Sequence, residues 1–345
     1  MNRSNLVSTL ELVGRALAAN NQVPIYECFC FNGKNVYAFN DELGIIAPCD
    51  VAEPFAVNGS VLLGLLKNSH SEEVDFTIDD QHDVVIKAGK SRFRMPYSTK
   101  EDFLFTPPKL KAPLVIDIDE KFIKGLEACL ITTSHDDDKR AFQGVCLEQG
   151  KKYLTMYSSD GDAITRFVTE YKDTNALSYF MPISFCESII KIIQDTKSDK
   201  SNLHLTNEWV RATVEGFDIY GRLLERNSVL DYEAEISKTL KGTPTYIGLP
   251  RGFDHALSRA RVIADAESAK TTLTVKDGKL SLYTETHAGI VRDSVPFGKH
   301  NDVEADVSAE LVQRAIGLCD EMALTEDCTV YKNGTELFLI ISNMG

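Results

Sequence analysis

The chain has no run of apolar residues near the roughly 18 that a membrane-crossing helix needs, so no helical span is expected. It has no Gly-x-x-x-x-Gly-Lys-Ser/Thr and no Gly-x-Gly-x-x-Gly loop, which removes the common phosphate-cradling cofactor sites. It has no Gly-x-Ser-x-Gly elbow, and its seven histidines lie scattered without acidic or cysteine partners in a recognisable order. No catalytic residue, cofactor or metal is therefore expected, and the chain reads as a non-enzyme. Cys-x-x-Cys is absent as well; the eight cysteines are spread out, mostly within apolar segments, as reduced and buried thiols would be. Met1–Asn5 does not have the pattern of a signal peptide, and the expected location is the cytoplasm. Asn58 and Asn333 then head glycosylation-like triplets by chance. Positive charge is scarce: 37 Lys and Arg stand against 51 Asp and Glu, a net charge of −14. Taken alone, that argues against a nucleic-acid partner, unless the charges are segregated.

What is present is one pattern written three times. Residues 28–46 (CFCFNGKNVYAFNDELGII), 145–164 (VCLEQGKKYLTMYSSDGDAI) and 272–290 (TLTVKDGKLSLYTETHAGI) each give an alternating strand, a Gly-Lys turn, a second alternating strand and a polar loop with a glycine. The turn glycines Gly33, Gly150 and Gly278 are 117 and 128 residues apart (150−33 and 278−150), a domain-sized repeat.

Each hairpin is flanked by amphipathic helices. Leu6, Leu10, Val13 and Leu17 share a helical face in the first repeat; Phe122, Ile123, Leu126 and Leu130 do so in the second, and Phe253, Ala256, Leu257 and Ala260 in the third. Second helices are expected over Ser60–Ser69, Ile183–Thr196, after Pro182, and Ser308–Met322. Strand pairs follow at 74–78 with 84–88, 203–206 with 210–216, and 328–332 with 337–342, the last around Asn333-Gly334. Pro-rich or Lys-rich linkers at Thr106–Pro113 and Lys238–Pro244 divide the chain into expected domains 1–110, 111–243 and 244–345, with short strands at Leu114–Ile118 and Tyr246–Leu249. The fold class is α+β, with six helix-plus-strands units, two per domain.

Three stretches resemble the bacterial DNA polymerase III beta sliding clamp family. They are VVIKAGKSRFRMP (84–96) with EDF (101–103), FQGVCLE (142–148) with SSDGD (158–162), and RLLE (222–225) with LDYE (230–233). The resemblance covers nearly the whole chain. It implies three tandem clamp domains, two chains joined head to tail in a homodimeric ring, helices lining the hole and sheets outside. It implies a processivity factor that encircles duplex DNA without regard to sequence. Such a clamp tethers a replicative polymerase and is opened by a clamp loader, both engaged through a linear peptide motif.

Several features depart from the family. Only Met1–Ser4 precede the first helix, so an opening strand is short or missing. Asp162 and Ala163 stand where the family has histidine and arginine, and the tail is Ile341-Ser342-Asn343-Met344-Gly345. These departures suggest a divergent, phage-encoded member.

The charges do segregate. Basic residues fall on solvent faces of predicted helices or in loops after them, and the candidate DNA contacts are Lys67, Lys121, Lys124, Lys139, Arg140, Lys191, Lys197, Arg259, Arg261 and Arg314. Arg15 and Arg251 share those faces. Acidic residues gather in turns, at Asp79, Asp80, Asp83, Glu148, Asp160, Asp162 and Glu285. The plainer reading is that Lys and Arg occupy the wet face of any amphipathic helix; Glu120, Glu127, Glu310 and Glu321 lie on the same helices. By resemblance, the partner-peptide pocket would comprise Phe142, Ser159, Gly161, Asp162, Ala163, Ile164, Leu230, Ile236, Ile341 and Met344. The dimer contact would set Phe93 and Met95, with Lys90, Arg92 and Arg94 around them, against Val262 and Ile263 of another copy.

Other signals have plainer explanations. Cys28 and Cys30 lie on one strand face without further ligands, as core residues would. His135-Asp136-Asp137-Asp138 reads as a solvated loop, and the single Trp209 as a packing residue in a turn. Two alternatives stay open beside the clamp: a clamp-like decoy that binds partners without conferring processivity, and a three-domain carbohydrate- or protein-binding module unrelated to DNA.

Overall fold

A computed structural model describes the chain except residues 20–22, 80–82, 100–101, 137, 172–176, 199, 226–229, 265–269, 299 and 345. Parts of two expected turns, Asp80–His82 and Asp137, thus lie outside the described residues. The chain runs α1 (Arg3–Val13), β1 (Cys28–Phe31), β2 (Asn35–Phe39), β3 (Leu43–Pro48), β4 (Phe55–Asn58), α2 (Gly59–Lys67), β5 (Asp75–Ile78), β6 (Asp83–Ala88) and β7 (Ser91–Pro96). The pattern then repeats as β8 (Leu114–Asp117), α3 (Glu120–Cys129), β9 (Gly144–Gln149), β10 (Tyr153–Ser159), β11 (Ala163–Glu170), β12 (Leu177–Pro182), α4 (Ile183–Thr196), β13 (Ser201–Leu205), β14 (Trp209–Val214) and β15 (Phe217–Arg222). After α5 (Tyr232–Thr239) it repeats once more: β16 (Ile247–Gly248), α6 (Phe253–Ile263), β17 (Lys270–Lys276), β18 (Lys279–Thr286), β19 (Gly289–Pro296), β20 (Val303–Ser308), α7 (Ala309–Ile316), β21 (Glu321–Leu324), β22 (Cys328–Asn333) and β23 (Leu337–Ser342).

The sheets join halves of successive repeats. One compact unit, residues 1–119 with 184–223, holds an eight-stranded antiparallel sheet in the order β4-β1-β2-β3-β15-β14-β13-β8 and a three-stranded sheet β5-β6-β7. The other, residues 120–183 with 224–345, holds the sheet β12-β9-β10-β11-β23-β22-β21-β16 and a four-stranded sheet β19-β18-β17-β20. The joints are β3 with β15, through Ile45 opposite Ile219, and β11 with β23, through Ile164 opposite Ile340.

In the first unit α1 and α2 pack together and Leu10, Val13 and Leu62 are fully buried. Two of the second helices start on side-chain caps: Asn58 Oδ1 accepts from Val61 N at 3.1 Å and Ser308 Oγ from Leu311 N at 3.3 Å. The short N-terminus forms no strand. It makes a single bridge, Asn2 with Glu73, next to a Met1 ammonium bond to Val74 O at 2.8 Å.

Three sequence expectations change, and a further helix appears. The hairpins are three-stranded, because the loops with Gly44, Gly161 and Gly289 lead into or lie within β3, β11 and β19. The second-half strand pairs gain β7 and β15 as third strands. The last helix stops at Ile316, with Gly317 as its cap, and Met322 belongs to strand β21. LDYE (230–233) opens a helix, α5, whose first turn is capped by Asp231 Oδ1 accepting from Ala234 N at 3.0 Å.

Candidate peptide-binding cleft

The two faces of the eight-stranded sheet in the second unit have different covers. On one face α3 lies so close that a Cβ on Gly125 would stand 2.7 Å from Phe167. Ser158 and Thr165 face the same side, and Thr132 Oγ1 lies 2.8 Å from the hydroxyl of each. Strand side chains alternate, so Tyr157, Ile164 and Arg166 face the other way. There α5 is the cover. Tyr232 stacks on Tyr157 with ring centres 5.1 Å apart, and Ile236 joins Cys146, Phe180, Val330 and Ile340 in one apolar cluster. Ile164 and Leu230 pack at its margin, partly buried.

The polar rim is acidic. A cavity of about 380 Å³ is bounded by Glu148, Tyr157 and Ser178 from the sheet and by Leu230 through Glu233 from the start of α5. Glu233 accepts from the Tyr157 hydroxyl at 2.8 Å and pairs with Arg166 at 3.2 Å; Arg166 lies over the Phe338 ring at 5.0 Å. Burial, followed by the Glu233 hydrogen bond, holds the Tyr157 phenol above the ordinary tyrosine range. Burial alone is the leading cause for Tyr232, also raised. The Tyr232 hydroxyl is buried and has no hydrogen-bond partner among the described residues.

The loop before β11 is tightly tied. Asp160 Oδ1 accepts from Asp162 N at 2.9 Å and Ala163 N at 2.7 Å, and Ser159 Oγ donates to Ala163 O at 2.8 Å. Burial raises the Asp160 carboxyl, against the pull of these backbone donors. Gly161 has φ +101°, a conformation that suits glycine, and the Phe142 ring lies beside it. Asp162 is exposed at the tip.

Of the residues expected in the pocket, Ile164, Leu230 and Ile236 share one cluster, while Ser159, Gly161 and Asp162 belong to the turn before β11, with the Phe142 ring from a separate 3-10 turn beside Gly161. Ala163 and Ile341 do not fit the expectation. They pair with each other and point to the α3 side, whereas Ile340 pairs with Ile164 and takes the cleft side. Met344 is held elsewhere, its N–H bonded to Asp306 O at 2.8 Å. Tyr157, Tyr232 and Glu233 belong to the cleft and were not expected there; Tyr232 and Ile236, four apart behind an Asp cap, were the available signal.

Among the expected DNA contacts, Lys67 pairs with Glu11 (2.8 Å), Lys121 with Glu336 (2.6 Å) and Lys191 with Asp195 (2.8 Å). Arg259 Nε donates to Asp293 at 2.6 Å, and Arg314 donates to Leu130 O at 3.2 Å. Lys124, Lys139, Lys197 and Arg261 make no ion pair with described residues; the last three are exposed. For Arg140 only the backbone is described, in a short 3-10 turn.

Of the expected dimer residues, Met95 is 4% exposed and already sits in the core of its own sheet, so it is not free to meet another copy. Phe93 is partly buried, and Lys90, Arg92 and Arg94 are exposed, with Arg94 bonded to Asp79 at 3.1 Å. Val262 is 84% exposed, Ile263 is partly buried, and Ile290 on β19 adds another exposed apolar side chain at 54%. All eight cysteines are free thiols, and no metal-ligating cluster occurs among the described residues. Trp209 opens β14 and packs with Tyr37, Phe105 and Tyr220.

No protein-family model matches the sequence, and no curated protein resembles it in sequence. Solved structures do match along the whole length. The DNA polymerase III beta subunit of Thermotoga maritima superposes with a TM-score of 0.84 at 17% identity, over 100% of this chain and 98% of that one. The Pseudomonas aeruginosa subunit gives 0.83 at 15% identity, again over 100% and 98%. The Bacillus subtilis DNA polymerase sliding clamp gives 0.84 at 13%, with the same coverage. From end to end, the chain has the fold of the bacterial beta sliding clamps.

Proposed function

We propose that this protein is a DNA sliding clamp, a non-catalytic processivity factor that acts in the cytoplasm as a homodimeric ring around duplex DNA. One observation carries the reading. The two internal joints pair β3 with β15 and β11 with β23. By the repeat, β19 corresponds to β3 and β11, and β7 corresponds to β15 and β23. Both end their sheets, without a further strand among the described residues. Pairing β19 of one copy with β7 of another repeats the same joint between chains, and a head-to-tail contact of this kind gives a ring when its rotation closes. The exposed Val262 and Ile290 flank one edge, and Arg92 and Arg94 line the other. The three expected domains, 1–110, 111–243 and 244–345, are then the repeated units, while the sheets tie neighbouring repeats together.

DNA contact in this reading is electrostatic and blind to sequence. Lys139 and Arg140 are the leading contacts, with Lys124, Lys197 and Arg261. Lys67, Lys121, Lys191 and Arg259 hold ion pairs that phosphate can replace, since exposed pairs contribute only about 0–1 kcal/mol, and Arg314 donates to a backbone carbonyl. Polymerase and loader dock through a linear peptide at the cleft beside β11 and α5. Asp162 gives its mouth a carboxylate, which selects a peptide with apolar anchors and a basic residue.

The test is retention on nicked circular against linear DNA. A ring stays on circles, slides off linear ends and lets go more readily as salt rises. Equal loss from both forms sinks the clamp. Val262→Asp with Ile263→Asp should yield monomers in sedimentation, and Lys139→Ala with Arg140→Ala should lower retention while leaving the dimer intact. A second reading, the partner-binding decoy, is favoured by the altered loop at Asp162 and by a tail tied to Asp306. It requires peptide binding without retention on circles.

A further inference from the structure

We propose that Arg92 of one copy and Arg292 of another face each other across the joint between chains, and that this like-charge pair holds the joint looser than its two counterparts inside the chain. The proposal rests on the ring reading and adds the residues that set how tightly the ring closes. The register follows from the turns. The strands β3, β11 and β19 each follow a tight turn, closed by Asn40 with Leu43, Asp160 with Ala163, and Thr286 with Gly289. The first two turns share a brace: Asn40 Oδ1 accepts from Leu43 N at 2.8 Å, and Asp160 Oδ1 from Ala163 N at 2.7 Å. The strands β7, β15 and β23 leave their own turns at Ser91, Phe217 and Leu337. Inside the chain Leu43 faces Gly221 and Ala163 faces Ile341, in both cases the fifth residue of the strand opposite. The same register sets Gly289 against Met95, Ile290 against Arg94, Val291 against Phe93 and Arg292 against Arg92.

Strand side chains alternate, so Val291 and Phe93, both partly buried, share the inner face, while Ile290, Arg292, Arg92 and Arg94, all exposed, share the outer one. The inner pair is apolar, as in the internal joints. The outer pair is not alike. At the corresponding place Ile46 faces Asp218, and Arg166 faces Phe338 with its guanidinium 5.0 Å from the ring centre. Neither internal pair repels; two arginines directly opposite do. Lys87 faces Arg92 within its own sheet, so three cations follow one another across the joint. Arg292 lies over its own Tyr283 ring at 5.1 Å, which holds the guanidinium on the outer face. The carboxylates close by are engaged. Arg94 holds Asp79 at 3.1 Å, Glu285 accepts from the Tyr283 hydroxyl, and Arg259 holds Asp293 on the inner face.

The experiment measures the dimer dissociation constant of the full-length protein by sedimentation equilibrium, together with subunit exchange between labelled chains for dimers too tight to dilute apart. Arg92→Glu should tighten the dimer about tenfold at low salt and slow exchange to match, since a ring has two such joints and each repulsion becomes an attraction. Arg92→Phe, which copies the Arg166 and Phe338 pair, should tighten it about threefold or more. The chain already carries −14, so a further negative charge would loosen the dimer if only net charge mattered; tightening therefore reads the pair itself. Arg292→Glu should tighten the dimer as well, and the double variant Arg92→Glu with Arg292→Glu should return to the wild-type value or looser. A double variant as tight as the single ones would mean that Arg92 meets something other than Arg292 and would overturn the register. A dimer unchanged or loosened by Arg92→Glu would overturn the like-charge pair and leave the ring standing. Monomers at every concentration, in wild type and variants alike, would overturn the ring reading and this proposal with it.

Discussion

The two eight-stranded sheets are built alike, yet the outer faces of their joints are covered differently. In the first unit the described residues of the segment after β7 form no helix or strand, and Phe105 lies on the joint. Phe105 stacks on Phe39 at 4.4 Å between ring centres, meets Tyr37 and Tyr220, and lies so near Gly44 that a Cβ there would stand 2.7 Å from the ring. In the second unit the corresponding segment becomes α5, and Tyr232 stacks on Tyr157 at 5.1 Å. The first cover is aromatic and closes over a glycine. The second brings carboxylates, leaves the Tyr232 hydroxyl without a partner among the described residues and borders an open pocket. The first cover is built from rings packed on a glycine, whereas the second sets charged and hydroxyl groups beside its rings.

The largest effect should come from breaking the aromatic cover. Phe105→Ala removes a side chain that is 7% exposed and should destabilise the first unit by about 3–5 kcal/mol. Trp209, the single tryptophan, packs on the same cluster, so urea unfolding followed by its fluorescence reads this unit directly. A loss under 1 kcal/mol would mean that the cover is decoration. Gly44→Ala should cost less, about 1–3 kcal/mol, by forcing the Phe105 ring away, and the same fluorescence transition measures it. The smallest effect, and of opposite sign, is expected across the comparison. Tyr232→Phe deletes the unpartnered hydroxyl, keeps the stack on Tyr157, and should raise stability by about 1 kcal/mol. Hydrogen exchange in β10 and α5 is the readout, since the tryptophan lies in the other unit. A destabilised Tyr232→Phe would show that the hydroxyl is engaged after all and would erase the contrast between the covers.

The repeat, most strands and the helix Ile183–Thr196 were legible because period 2 and period 3.6 are strong over such lengths. The third strands were not. Leu43–Pro48 is an almost continuous apolar run with a glycine in second place, and such a run does not reveal whether it turns or pairs. Ser308–Met322 read as one helix since the apolar spacing continues past Ile316; Gly317 and the pairing of Glu321–Leu324 with β22 decide otherwise. At the cleft, Phe142, Gly161, Ile164 and Leu230 came from resemblance, and a one-residue slip put Ile341 where Ile340 lies. Which face a strand residue takes depends on register, and register is fixed by the partner strand, far away in sequence. Tyr232 and Glu233 were hidden because an eight-residue helix is too short to announce itself by periodicity.

The order of strands also has an arithmetic. Each repeat supplies two half-sheets, and every joint uses one half from each of two different repeats. A tandem of any number of such repeats therefore makes one joint fewer than it has repeats, and one half-sheet of each kind is left over. Here the remainders are β5-β6-β7 and β19-β18-β17-β20. Duplicating the repeat again would lengthen the chain without using them up. The remainder is a property of the connectivity rather than of chain length, and only a second molecule, or a chain bent back on its own start, can bring it to zero.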